Sequence, residues 1–139
     1  MRIALLTETF LPKIDGITNT LCHLLDYLAS HGHESLLLAP EGGPDWYART
    51  RVVGVRALPF PFYPEFRLAP PNGSVHAQLS AYRPDVVHVV NPLALGAAGI
   101  RQSRGLGIPV IASYQTDIPG FVARWGFGFL SDPLRAYLR

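Results

Sequence analysis

Gln115, Thr116 and Asp117 stand in succession directly after the apolar run of residues 110–114. Gln115 both donates and accepts hydrogen bonds, and Asp117 accepts strongly or acts as a base. The trio therefore suits a ligand rich in hydroxyl groups, with Gln115 and Asp117 as candidate catalytic contacts and Thr116 as a binding residue. An Asx or Thr turn ahead of Pro119 would use the same residues without chemistry. Asn91 follows the run of residues 85–90, where it can hydrogen-bond a sugar hydroxyl or shape the turn before Pro92. Asp15 and Gly16 precede a segment of helical period. There the backbone N–H groups and the helix dipole attract a phosphate, and Gly16 would let it approach. A glycine serving only the turn is the competing reading, and Asp15 can either cap the helix or face a hydroxylated substrate.

Other chemistries lack their residues. The loop of residues 8–18 holds one glycine, against the three of a dinucleotide fingerprint, and no Gly-Lys-Ser/Thr of a phosphate loop, which argues against nicotinamide, flavin and P-loop nucleotides. His31 and His33 have no second ligand pair at metal spacing, so no protein-held metal and no cofactor are expected. No nucleophile elbow is present. His88, among valines, is expected to be a satisfied core histidine. Cys22 is the single cysteine and falls on an apolar helix face, which makes it a buried structural thiol.

These residues have to be positioned by something. Strand-length apolar runs at residues 2–7, 34–39, 52–58, 85–90 and 109–114 alternate with helical stretches. The first of these begins at Asp15-Gly16 and ends near Gly32, and others lie at 74–82 and 93–105. Such alternation is the mark of a parallel sheet covered on both faces, an α/β Rossmann-like doubly wound fold. Right-handed crossovers from a central first strand give the order 3-2-1-4-5. Ligands of such sheets bind outside the carboxyl ends of the strands, so Gly16, Asn91, Gln115 and Asp117 should share one cleft. Residues 59–71 carry five prolines and read as neither regular helix nor central strand, a structured loop at best.

At 139 residues the chain fits one domain, residues 1–139. A net charge of +2, with Lys13 the single lysine beside 11 arginines, offers no field for nucleic acid. The N-terminal apolar run is too short for a signal peptide or membrane span, which points to a cytoplasmic protein with at most peripheral membrane contact. Residues 133–139 read as a helix opening without a stop signal, so the domain is expected to be incomplete.

Six segments together resemble the family-4 retaining glycosyltransferases of the GT-B fold. They are Arg2-Ile3-Ala4-Leu5-Leu6-Thr7-Glu8, Asp15-Gly16, His31-Gly32-His33-Glu34, Pro84-Asp85-Val86-Val87-His88-Val89, Gly107-Ile108-Pro109-Val110 and Ser113-Tyr114-Gln115-Thr116-Asp117. The insertion Leu58-Pro59-Phe60-Pro61-Phe62-Tyr63-Pro64 is similar to a branch holding GDP-mannose-dependent α-mannosyltransferases and sulfoquinovosyl-diacylglycerol synthases. The resemblance implies the N-terminal, acceptor-side half of an enzyme that moves a hexose, mannose-like, from a nucleoside diphosphate sugar to a lipid or glycan acceptor with retention. In the family the first loop lies by the donor phosphates and the loop after strand five faces the sugar. Where the family usually has histidine this chain has Gln115, so no histidine contact carries over. The donor grip of the family belongs to a second Rossmann domain, and without it the chain alone is expected to be inactive. Two other readings are a flavodoxin-like partner-binding module and a membrane-surface module. The second would use the aromatics and cations Phe121, Arg124, Trp125, Phe127, Phe129, Arg135 and Arg139.

Overall fold

The computed structural model describes residues 1–56, 58–60, 63–68, 73–90 and 94–113, the second and third of these by backbone alone. The first strand, β1 (Arg2–Thr7), lies at the centre of the sheet, and α1 (Gly16–Ser30) follows it. Then come β2 (Glu34–Pro40), the short β3 (Trp46–Tyr47) and β4 (Thr50–Val55), next β5 (Leu58–Phe60) and β6 (Tyr63–Leu68). The chain continues through α2 (Ser74–Tyr82), β7 (Val86–Val90), α3 (Ala94–Gly105) and β8 (Val110–Ser113). The main sheet runs β3-β4-β2-β1-β7-β8, with every pair parallel except β3 against β4. Its five parallel strands follow the expected order 3-2-1-4-5.

Burial explains the strand pattern. Leu5, Leu6, Leu37 and Leu38 are all fully buried although neighbours in sequence point to opposite faces. Both faces of β1 and β2 are therefore covered, so the runs are continuously apolar instead of alternating. One face packs on α1 through Leu5, Leu37, Leu21, Leu25 and Leu28. The other packs on α2 and α3 through Ala4, Leu6, Leu38, Leu79 and Leu95. Each such leucine is worth about 1.5–3 kcal/mol on burial. Gly99 brings α3 onto β1 so closely that a Cβ there would lie 2.6 Å from Leu6 Cδ2.

The helix ends follow local chemistry. The α1 helix stops at Ser30, His31 is the C-cap, and Gly32 takes φ 74° so that the His33 N–H reaches the Leu28 carbonyl at 3.0 Å. This is the left-handed glycine terminus that the sequence suggests. Arg2 and Asp85 tie β1 to β7 at the amino edge of the sheet. The Arg2 N–H donates to Asp85 Oδ2 at 2.7 Å and the Asp85 N–H to the Arg2 carbonyl at 2.8 Å. Cys22 is half-buried and packs beside the α1 core.

Three expectations need correction. The third parallel strand is Thr50–Val55, and Leu58 belongs to a separate sheet. Residues 59–71 are more than a loop, because β5 and β6 pair as an antiparallel ribbon with an irregularity at Pro59/Phe60. A two-stranded ribbon consists only of edges, so a proline can face its missing N–H outward without breaking a ladder. The strand β3 was not anticipated, since two residues carry no readable alternation.

Candidate functional site

The carboxyl edge of the sheet is opened by the turn from β1 into α1. The Thr7 hydroxyl donates to the Thr9 carbonyl at 2.7 Å, and the Thr9 N–H donates back to the Thr7 hydroxyl at 3.3 Å. Beyond Phe10, buried against Tyr47, the Leu11–Pro12 peptide is cis and the Lys13 N–H returns to the Phe10 carbonyl at 3.2 Å. The loop after β2 supports this turn from the side. A Cβ on Gly43 would overlap the Leu11 carbonyl oxygen. A cavity of about 220 Å3 lies between the two loops, bordered by Glu8, Thr9, Lys13, Pro40 and Glu41.

Asp15 is the N-cap of α1. Its Oδ1 accepts from the Thr18 N–H at 2.8 Å, its Oδ2 accepts from the Thr9 hydroxyl at 3.1 Å, and Lys13 Nζ stands 3.7 Å from Oδ2. Partial burial opposes its ionisation, yet the Thr18 N–H, the Thr9 hydroxyl and the Lys13 ammonium together hold the carboxyl below its usual range. Of the two readings of Asp15, capping is the one its contacts express.

Gly16 is the first helical residue, exposed, and has no left-handed φ. The turn therefore does not require a glycine at this position. A Cβ there would meet nothing within 4 Å, so the space above the first turn is open. The Thr18 and Asn19 N–H groups are taken by the Asp15 side chain and carbonyl. Those of Gly16 and Ile17 are the donors that a helix start leaves without an internal partner, and they suit an anion.

Asn91, Gln115, Thr116 and Asp117 lie outside the described residues. The strands that lead to them are described. Thr7 pairs with Val90, and Val90 with Ser113, so β1, β7 and β8 end side by side on one edge. His88 is half-buried with Nε2 3.0 Å from the Ser113 hydroxyl, and burial pushes its imidazole below the usual range. It is the satisfied histidine expected of that position.

Sequence reasoning overlooked Glu8 as a structural element. It is 3% exposed, and its Oε1 accepts from the N–H groups of Leu95 at 2.5 Å and Gly96 at 3.0 Å, at the start of α3. Its Oε2 is shielded and without a partner among the described residues. Burial pushes the carboxyl up to about 7 even though the two backbone N–H groups pull it down. The sequence signal was slight: an acid directly after a buried strand, where the residue has little access to water.

In a doubly wound sheet ligands sit at the carboxyl edge, where α1 begins. The family model described as Glycosyltransferase Family 4 matches residues 14–139, and the chain belongs to that family. It is 34% identical to a GDP-mannose-dependent alpha-mannosyltransferase of Mycobacterium tuberculosis, over 100% of this chain and 38% of the relative. It is 37% identical to one of the same description from Corynebacterium glutamicum, over 90% of this chain and 32% of that one. The Arabidopsis thaliana sulfoquinovosyl transferase SQD2 is 26% identical over 99% of the chain and 28% of its own length. The chain thus spans between 28% and 38% of the length of these relatives.

Proposed function

We propose that the chain is the acceptor-side domain of a retaining glycosyltransferase that moves mannose, or a similar hexose, from a nucleoside diphosphate sugar to a lipid or glycan acceptor. The observation that carries this reading is the open first turn of α1 at Gly16, beside the aligned ends of β1, β7 and β8. In this reading the Gly16 and Ile17 N–H groups approach the donor diphosphate, Gln115 the transferred sugar, and Asn91, Thr116 or Asp117 the sugar or acceptor hydroxyls. Asp15 holds the helix start in place through its cap. This reading invokes no protein-held metal and no organic cofactor. The likeness to two mannosyltransferases favours GDP-mannose as donor.

Most of the donor grip is assigned to a second Rossmann domain, so this chain alone should neither turn over nor bind the donor well. A cytoplasmic site of action, with peripheral contact at the inner membrane face when the acceptor is a lipid, fits the same scheme. Among the described residues no helix is long and apolar enough to cross a membrane. Calorimetry of the chain with GDP-mannose and with UDP-glucose tests the division of labour, and micromolar affinity for either would overturn it. Fusing the chain to the C-terminal half of the Mycobacterium tuberculosis relative tests the activity: the product should carry mannose with the anomeric configuration of the donor.

A further inference from the structure

At the amino edge of the sheet, the end away from Gly16, a second cavity of about 530 Å3 opens beneath β2 and β4. The strand register assembles its floor. Arg2 pairs with Glu34, Leu36 pairs with Arg51, and Arg51 faces Trp46 across the β3–β4 hairpin. Because side chains alternate along a strand, Arg2, Glu34, Arg51 and Trp46 fall on the same face of the sheet, and α2 walls the cavity with Gln78, Ala81 and Tyr82. Three guanidinium groups, of Arg2, Arg49 and Arg51, line it against the one carboxylate of Glu34, with His33 alongside.

These groups are held in place. The Arg2 guanidinium lies 4.5 Å from the centre of the Tyr82 ring, with its Nε 3.2 Å from Glu34 Oε2. The Tyr82 hydroxyl is shielded from solvent beside the Arg2 side chain. The hairpin turn places Ala48 at φ 46° and Arg49 at φ 67°, left-handed conformations that side-chain-bearing residues rarely adopt and that a hairpin usually gives to Asn or Gly. Arg49 is thereby presented at the cavity mouth, beside a Trp46 that is 64% exposed. Among the described residues neither Arg49 nor Arg51 has a carboxylate partner.

We propose that this cavity binds a phosphomonoester dianion. With Arg2 set against Glu34 and Asp85 close by, Arg49 and Arg51 are the two lining guanidinium groups left to meet an anion. Guanidinium forks match the oxygens of a phosphate. The volume is that of a small-molecule site. The site is separate from the sugar-transfer edge by the length of β1, on the order of 20 Å for six residues, and the inference does not rest on the proposed activity.

The phosphate could belong to a soluble ester or to a lipid headgroup, and the test has an arm for each. The full chain is titrated calorimetrically with glycerol 3-phosphate, with glycerol as the control. In parallel it is co-sedimented with vesicles of phosphatidic acid and phosphatidylcholine, against phosphatidylcholine alone. The double variant Arg49→Asn/Arg51→Gln is run beside it. Both side chains are exposed and Asn tolerates the left-handed turn, so the fold is expected to persist, as checked by circular dichroism. Saturable binding in either arm, weakened about tenfold or more in the double variant, is the expected result, and the arm that binds identifies the source. Absence of saturable binding in both arms, or equal binding by the double variant, overturns the proposal.

Discussion

The Glu8 carboxylate accepts a 3.0 Å hydrogen bond from the Gly96 N–H, which joins the end of β1 to the start of α3 across 88 residues of sequence. With the Leu95 N–H on the same oxygen, one buried side chain serves the N-terminus of the helix that follows β7. It therefore fixes the start of α3 against the end of β1.

Glu8 should impose a pH dependence on stability. Its ordinary pKa is 4.5 and burial raises it to about 7 in the folded chain. Between those values the native state keeps a proton that the unfolded state releases, so stability falls as pH rises through this window and is level above it, by roughly 3 kcal/mol at most. Glu8→Gln keeps an acceptor oxygen for Leu95 and Gly96 but cannot ionise. Its stability minus that of the parent, from urea melts across the window, should rise with pH. His88, whose depressed pKa slopes the other way, is present in both proteins and drops out of the difference. A constant difference would show that Glu8 does not titrate there.

Asp15 works in the opposite sense. Its carboxyl is held below its ordinary value of 3.8 in the fold, so its contribution is present above that value and is lost as pH falls through the folded pKa. Asp15→Ala removes the cap on Thr18 and should cost about 0.5–2 kcal/mol at neutral pH. Asp15→Asn retains a capping oxygen and should cost less. Thermal melts of the two variants measure the difference, and equal losses would mean that the Lys13 and Thr9 contacts matter more than the cap.

The contact between α3 and β1 gives a prediction of sign. Alanine at Gly99 gains about 1 kcal/mol of helix propensity, but its Cβ would lie 2.6 Å from Cδ2 of the fully buried Leu6. Overpacking of that kind costs about 1–3 kcal/mol, so the net effect should be destabilising. Gly105→Ala, at the end of the same helix with nothing within 4 Å of its Cβ, should be neutral or stabilising. Urea midpoints that move in the same direction for both variants would contradict the packing argument.

The parallel core could be read from the sequence because β1 and β2 are buried on both faces, which prints continuous runs such as Leu5-Leu6 and Leu36-Leu37-Leu38. The helix end at Gly32 was readable for a different reason, since only a left-handed residue closes that turn cheaply. Trp46-Tyr47 could not be read, because two residues carry no period, and the ribbon of β5 and β6 was hidden by prolines that argue only against central strands. The helix start at Asp15 and Gly16 was readable through its capping chemistry. Glu8 was missed because its partners, Leu95 and Gly96, are backbone groups more than 80 residues away and leave no mark in side-chain types.

Gly16 separates a structural glycine from a functional one. Its φ is not left-handed and its missing Cβ would touch nothing, so neither Gly16→Ala nor Gly16→Val has a steric reason to unfold the chain. Alanine should add about 0.4–1 kcal/mol by restricting the unfolded state. If the first-turn N–H groups hold the donor diphosphate, however, any side chain at this position stands in the approach, and a branched one obstructs it more. Loss of a hydrogen bond to a charged group is worth about 1.5–3 kcal/mol. Transfer by an active enzyme carrying this chain should therefore fall about tenfold to a hundredfold in kcat/KM for Gly16→Val, and less for Gly16→Ala. Melting temperatures should be unchanged or raised in both. Parental kcat/KM in the valine variant, with its fold intact, would remove Gly16 from the donor site and leave the open first turn without a role in transfer.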